Sequence, residues 1–237
     1  MMKVNVLHGW QMGTAEAQEI QRQLAGKVST RNEVGEVSLV AGVDISAHDQ
    51  RGPGRGAVVV LRYPELSPVE VRTAEMKPPF PYVPGLLSFR ESPLILAACE
   101  KLSVAPDLVL VDGQGLAHPR RFGLASHLGL LLDTPAIGCA KSLLCGEHGA
   151  VGPEPGDYAL LKDGNKVIGA ALRTKAGSQP LYISIGHRVD LEGAIKWVLA
   201  CCRGYRLPEP TRLAHLAAGG RLAEGLASSS QEKHRSH

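Results

Sequence analysis

Three carboxylates in this chain stand in positions where a carboxylate needs a reason. Asp44 interrupts the β-branched run Val43-Asp44-Ile45, Glu91 follows a proline-rich stretch at the start of a helical segment, and Asp112 closes the apolar run Leu108-Val109-Leu110-Val111. Each has a plain structural explanation when taken alone. Asp44 faces solvent by strand alternation or meets a cation, Glu91 completes a capping box begun by Ser88, and Asp112 opens a turn at Gly113. Converging from separate elements, however, three carboxylates repel strongly at low dielectric unless a divalent cation lies among them. Ligation by oxygen alone suits Mg²⁺ or Mn²⁺.

Other chemistries fail on spacing. Gly113-Gln114-Gly115 follows a strand, but the third glycine of a dinucleotide fingerprint is replaced by His118. No P-loop and no nucleophile elbow occur. The five cysteines, Cys99, Cys139, Cys145, Cys201 and Cys202, form no C-x-x-C pair, so neither a zinc site nor a disulfide framework is indicated.

The elements that must position these acids follow from periodicity. Thr14 to Val28 reads as a helix with apolar residues at Ala17, Ile20, Leu24 and Val28 and Thr14 as its cap. Ser38 to Ser46, Ala57 to Tyr63 and Val69 to Lys77 read as three antiparallel strands, the first two joined by the glycine-rich loop Asp49 to Gly56. Pro78 to Gly85 holds four prolines, which exclude a helix interior or a central strand; it is a stiff loop presenting Tyr82. A helix over Phe89 to Leu102 precedes the strand ending at Asp112. A second helix, Phe122 to Leu132, then leads to the buried strand Thr134 to Ala140, and this strand, helix, strand order implies parallel pairing. Three shorter strands (Asp157 to Lys162, Lys166 to Arg173, Leu181 to Gly186) and helices over Leu191 to Cys202 and Glu209 to Ala218 complete a mixed sheet. From Gly219 onward the composition predicts a disordered tail, leaving a single domain over residues 1–218.

The 237 residues, 44% hydrophobic, suffice for one domain with a substantial core. A net charge of +3 and a pI of about 8.6 permit a nucleic-acid partner without demanding one. With no leader-like N-terminus and no apolar run of about 18 residues, the expectation is an unexported cytoplasmic protein without a membrane partner.

A strand meander with a central Asp, followed by parallel strands and crossover helices, predicts an α/β fold with a ribonuclease H-like mixed sheet flanked by helices. The ordered motifs Val43-Asp44-Ile45, Pro81-Tyr82-Val83-Pro84-Gly85, Phe89-Arg90-Glu91, Val111-Asp112-Gly113-Gln114-Gly115, His118-Pro119-Arg120-Arg121, Ala140-Lys141-Ser142, Gly186-His187-Arg188 and Arg206-Leu207-Pro208-Glu209-Pro210-Thr211-Arg212 resemble those of the endonuclease V family, from Leu39 to His215. The resemblance implies a metal-dependent endonuclease that recognises hypoxanthine, the deaminated purine of deoxyinosine. It would cut the second phosphodiester 3′ to the lesion and leave 3′-hydroxyl and 5′-phosphate ends. It assigns Asp44, Glu91 and Asp112 to Mg²⁺, with Mn²⁺ as substitute, Lys141 to transition-state charge, and a further active-site group to the position of His215, whose imidazole suits Mg²⁺ poorly and is expected to position water or, on occasion, to contact Mn²⁺. It makes Pro81, Tyr82, Val83, Pro84 and Gly85 a wedge that fills the stack when a base is flipped. Gly113, Gly138 and Ala140 would wall the base pocket, and Arg90, His118, Arg120 and Arg121 would contact phosphates. DNA is the expected substrate and a monomer the expected form. The alternatives are an endoribonuclease acting on inosine in RNA and an inosine-binding module that does not cut.

Overall fold

The computed structural model describes residues 2–47 and 52–226. The helices are α1 (Thr14–Ala25), α2 (Leu87–Cys99), α3 (Leu124–Leu132), α4 (Leu191–Ala200) and α5 (Glu209–Ala218). The strands are β1 (Leu39–Ala47), β2 (Gly54–Arg62), β3 (Ser67–Met76), β4 (Leu108–Val111), β5 (Ala136–Ala140), β6 (Tyr158–Asp163), β7 (Lys166–Leu172), β8 (Leu181–His187) and β9 (Gly225–Leu226). They form one sheet in the order β6-β7-β8-β5-β4-β1-β2-β3-β9. The meander β1-β2-β3 is antiparallel, whereas β1-β4 and β4-β5 pair in parallel. This is the mixed sheet expected, with the crossover through α3 where the sequence places it.

Strand alternation sorts the core into two layers. Val40 of β1, Leu108 and Leu110 of β4 and Ile137 of β5 pack with Ala194, Val198, Leu213 and Ala217 of α4 and α5. Ala41 and Val43, Val109 and Val111 point the other way, onto Ile95 and Ala98 of α2 and Leu128 of α3. Helices therefore cover both faces of the sheet. The α5 backbone comes so close to β1 that a Cβ on Gly42 would lie 1.9 Å from the Pro210 carbonyl oxygen, so only glycine allows the contact.

Several boundaries differ from those read in the sequence. The N-cap of α1 is Gly13, and Thr14 makes no side-chain cap bond. β2 starts at Gly54, inside the expected glycine loop; Asp49 to Arg51 of that loop lie outside the described residues. α2 carries Pro93 in its interior, leaving the Phe89 carbonyl without its helical donor. The chain does not lose its structure at Gly219: Gly225 and Leu226 pair with β3, and Glu224 accepts hydrogen bonds from the Thr73 backbone and hydroxyl. The rest of the expected tail, residues 227–237, lies outside the described residues. No helix among the described residues is long and apolar enough to cross a membrane.

Candidate active site

The parallel register of β1 and β4 brings two of the acids together. Val43 pairs with Val111, and the Asp112 backbone N–H donates to the Val43 carbonyl at 3.1 Å, so Asp44 and Asp112 leave adjacent strands side by side. Both continue the face that α5 covers, and α5 delivers His215. One donor atom each from Asp44, Asp112 and His215 lies within 4.8 Å of the others. Asp44 is only 8% exposed, which rules out a solvent-facing carboxylate. Its Oδ1 accepts the Ile45 N–H at 2.7 Å, and its Oδ2 stands 2.7 Å from His215 Nδ1. Lys141, one residue past the end of β5, pairs its ammonium with Asp112 Oδ2.

Glu91 reaches the same place from α2. The expected capping box does not form: the N-cap of α2 is Leu86, Ser88 lies inside the helix, and its hydroxyl is buried without a hydrogen bond. Glu91 is thereby free for the acidic centre. Burial, and then the charges of Asp44 and Asp112, push its carboxyl up to about 7. Burial and the Asp112 charge push Asp44 up to about 6. Carboxylates that cannot all ionise comfortably in one buried place are the electrostatic mark of a cation-binding site. The donor set, carboxylate oxygens with one imidazole, fits a divalent metal.

Beside the acids is a cavity of about 320 Å³, whose walls include Glu91, Asp112, Gly113, Ala140, Lys141 and Leu144. Gly113 and Ala140 both line it. Gly138 is not part of the wall. It lies behind it in β5, where a Cβ would come within 2.7 Å of the Gly113 carbonyl oxygen, so it lets the turn after Asp112 pack closely.

The proline loop runs along the mouth. Phe80 is buried with Ala17, Leu86 and Phe89, while Tyr82 is 50% exposed. The loop is clamped at both ends. Arg90 donates to the Phe80 carbonyl at 3.1 Å. The Gly85 carbonyl accepts from Gln21 Nε2 at 3.0 Å, His118 Nε2 at 3.0 Å and Arg120 Nη2 at 2.7 Å. Arg90 and His118 are buried and hold the loop through these bonds, and Arg120, partly exposed, bonds Gly85 and Gln21. Arg121 donates to the His118 carbonyl at 2.7 Å and pairs with Asp163 at the surface. Because His118 Nδ1 accepts the Arg120 N–H, its proton sits on Nε2, and burial lowers its pKa to about 4, keeping the ring neutral.

Gln21 is a member of this clamp that the sequence did not single out. It is fully buried, and its amide also donates to the Phe122 carbonyl at 3.1 Å. A signal existed: Ala17, Gln21 and Leu24 share the buried stripe of α1, so an amide sits where an apolar residue is expected. His187, by contrast, accepts the Ser29 N–H at 3.1 Å and holds the chain leading to β1, a structural task.

Acids meeting a lysine beside a recess, on a mixed sheet of this topology, define a metal-dependent nuclease. Comparison with known proteins narrows the class. A family model described as Endonuclease V matches residues 22–216. The endonuclease V of Dehalococcoides mccartyi is 54% identical over 217 residues, covering 92% of this chain and 97% of that protein. The crystal structure of endonuclease V from Streptomyces avermitilis superposes with a TM-score of 0.85 at 42% identity, covering 92% of this chain and 96% of the other. That of Ciona intestinalis endonuclease V, in complex with a DNA containing an inosine followed by a ribo-adenosine, gives 0.75 at 30% identity, covering 87% and 95%. The chain belongs to the endonuclease V family.

Proposed function

We propose that this nuclease recognises hypoxanthine in DNA and hydrolyses the second phosphodiester on its 3′ side, leaving 3′-hydroxyl and 5′-phosphate ends, with Mg²⁺ as the working ion and Mn²⁺ as a substitute. The convergence of Asp44, Asp112 and His215, with Glu91 beside them, carries this assignment. The inosine in the strand bound by the Ciona relative supports the choice of lesion, and the ribo-adenosine that follows it there is the reason to test both polymers.

Tyr82, on a loop fixed at Phe80 and Gly85, enters the stack with little ordering entropy left to lose. The flipped base enters the cavity, where Gly113 and Ala140 let backbone approach its edge. Asp44, Glu91 and Asp112 would hold the metal, which when bound would supply Lewis-acid polarisation of the phosphodiester and acidify an attacking water. Lys141 neutralises charge that grows on the phosphate in the transition state. His215, tethered to Asp44, orients the water. The protein acts as a monomer in the cytoplasm.

The test is cleavage of end-labelled strands of one sequence, carrying deoxyinosine in DNA or inosine in RNA, with product ends mapped. A nick at the second 3′ phosphodiester of the DNA strand, dependent on Mg²⁺, is the expected result. Preference for the RNA strand would make the protein an endoribonuclease, and binding without a cut would leave an inosine-binding module.

A further inference from the structure

The segment from Arg206 to Arg212 has no role in the chemistry above, yet it carries one side chain that reaches the active-site lysine. Arg206 Nη2 donates to the Lys141 carbonyl at 2.6 Å and to the Pro180 carbonyl at 2.8 Å. Its own carbonyl accepts from the Thr174 hydroxyl at 2.6 Å. One residue thus ties together the exit of β5, the approach to β8, the chain after β7 and the segment that enters α5.

The chain leaving β5 is held by Arg206 at the Lys141 carbonyl and by Gln114 Nε2 at the Ser142 carbonyl, 2.9 Å away, and of the two only Arg206 acts on Lys141 itself. β5 ends at Ala140, and no helix or strand follows until β6. Its side chain is 40% exposed, and its ammonium reaches Asp112 through a flexible four-carbon stem. The backbone position of Lys141 therefore decides whether the ammonium falls on Asp112 or swings into solvent. The same segment is held at its other end: Pro210 rests on Gly42, two residues before Asp44, and the Thr211 hydroxyl donates to the Pro208 carbonyl at 3.0 Å. Arg206 accordingly fixes Lys141 relative to the frame that also sets His215 on Asp44.

We infer that Arg206 is a positioning residue for the nuclease reaction, holding the backbone of Lys141 so that its ammonium sits against Asp112. It does not itself contact the nucleic acid. This role presupposes the nuclease chemistry proposed above.

The test is a double-mutant cycle on single-turnover cleavage of a deoxyinosine strand in Mg²⁺, with wild type, Arg206→Ala, Lys141→Ala and the double variant. Affinity for the same strand is measured in Ca²⁺. Arg206→Ala should slow cleavage roughly 10- to 100-fold, the scale of a small misplacement of a catalytic group, leave affinity within about twofold of wild type, and have no further effect once Lys141 is gone. Arg206→Gln, which can still donate to one of the two carbonyls, should fall between wild type and Arg206→Ala, and it replaces Arg206→Ala if that variant does not fold. Equal losses with and without Lys141, or weakened affinity, would overturn the role, since Arg206 would then act independently or touch the strand directly. Failure of the wild type to cleave would instead refute the nuclease assignment.

Discussion

His215 on α5 and Asp44 on β1, 171 residues apart in the chain, hold Nδ1 and Oδ2 2.7 Å from one another. The imidazole Nδ1–H donates to the carboxylate, so α5 is chemically fastened to the strand that carries the central acid. His215→Ala should slow cleavage roughly 10- to 100-fold, the scale typical of groups that orient metal ligands, while leaving the affinity for a deoxyinosine strand in Ca²⁺ unchanged. Single-turnover rates and equilibrium binding separate the two. Full activity in His215→Ala would remove this histidine from the mechanism.

Glu91 makes the metal-free protein sensitive to pH. A carboxyl raised from 4.5 to about 7 on folding binds more protons in the folded state between those values. Stability is therefore lost as pH rises through that window, by on the order of 3 kcal/mol for a shift of this size. Glu91→Gln removes the buried charge, so in EDTA at pH 8 it should melt several degrees higher than wild type, about 2–4 °C per kcal/mol for a chain of this length, with the gap closing near pH 5. His118 and His127, whose pKa values burial lowers, act in the opposite sense at acidic pH, but comparing the two proteins at each pH cancels them. An unchanged or lower melting temperature for Glu91→Gln at pH 8 would mean that burial and the neighbouring acids do not disfavour the Glu91 charge as described.

Tyr82 and Gln21 should separate contact from support. Tyr82 is half exposed, so Tyr82→Ala should change stability by less than about 0.5 kcal/mol while cutting cleavage of a deoxyinosine duplex about tenfold. Gln21→Leu removes donors from the Gly85 and Phe122 carbonyls and leaves Arg120 Nε without its acceptor, which should cost roughly 1–3 kcal/mol and lower cleavage in the same direction. Thermal melting alongside duplex cleavage checks both variants. Normal cleavage by Tyr82→Ala would end the wedge assignment.

The acids were legible because they violate local rules. A carboxylate between Val43 and Ile45, or at the end of four buried residues, cannot be explained by the strand that carries it, and the 2-residue period of β1 and β4 fixes the face it joins. The helix over Glu209 to Ala218 was legible to the residue, because Pro210 in the first turn and Gly219 after the last leave little freedom at either end. The clamp on the proline loop was not legible. Gln21, His118 and Arg120 meet at one carbonyl only after three distant segments pack, and a buried arginine reads in sequence just as a phosphate-binding one does. The Ser88 cap failed for a similar reason: local pattern favoured it, but tertiary packing started α2 at Leu87 and buried the hydroxyl.

On the proposed function, Asp44, Glu91 and Asp112 together hold the ion on which cleavage depends. Mn²⁺ binding followed by electron paramagnetic resonance, on wild type and Asp44→Ala, with nicking of a deoxyinosine strand assayed in the same samples, addresses it directly. Wild type should bind Mn²⁺ and nick the strand, and Asp44→Ala should lose both while its melting curve stays cooperative. Undiminished Mn²⁺ binding or nicking in Asp44→Ala, or a wild type that nicks equally well in EDTA, would contradict the account.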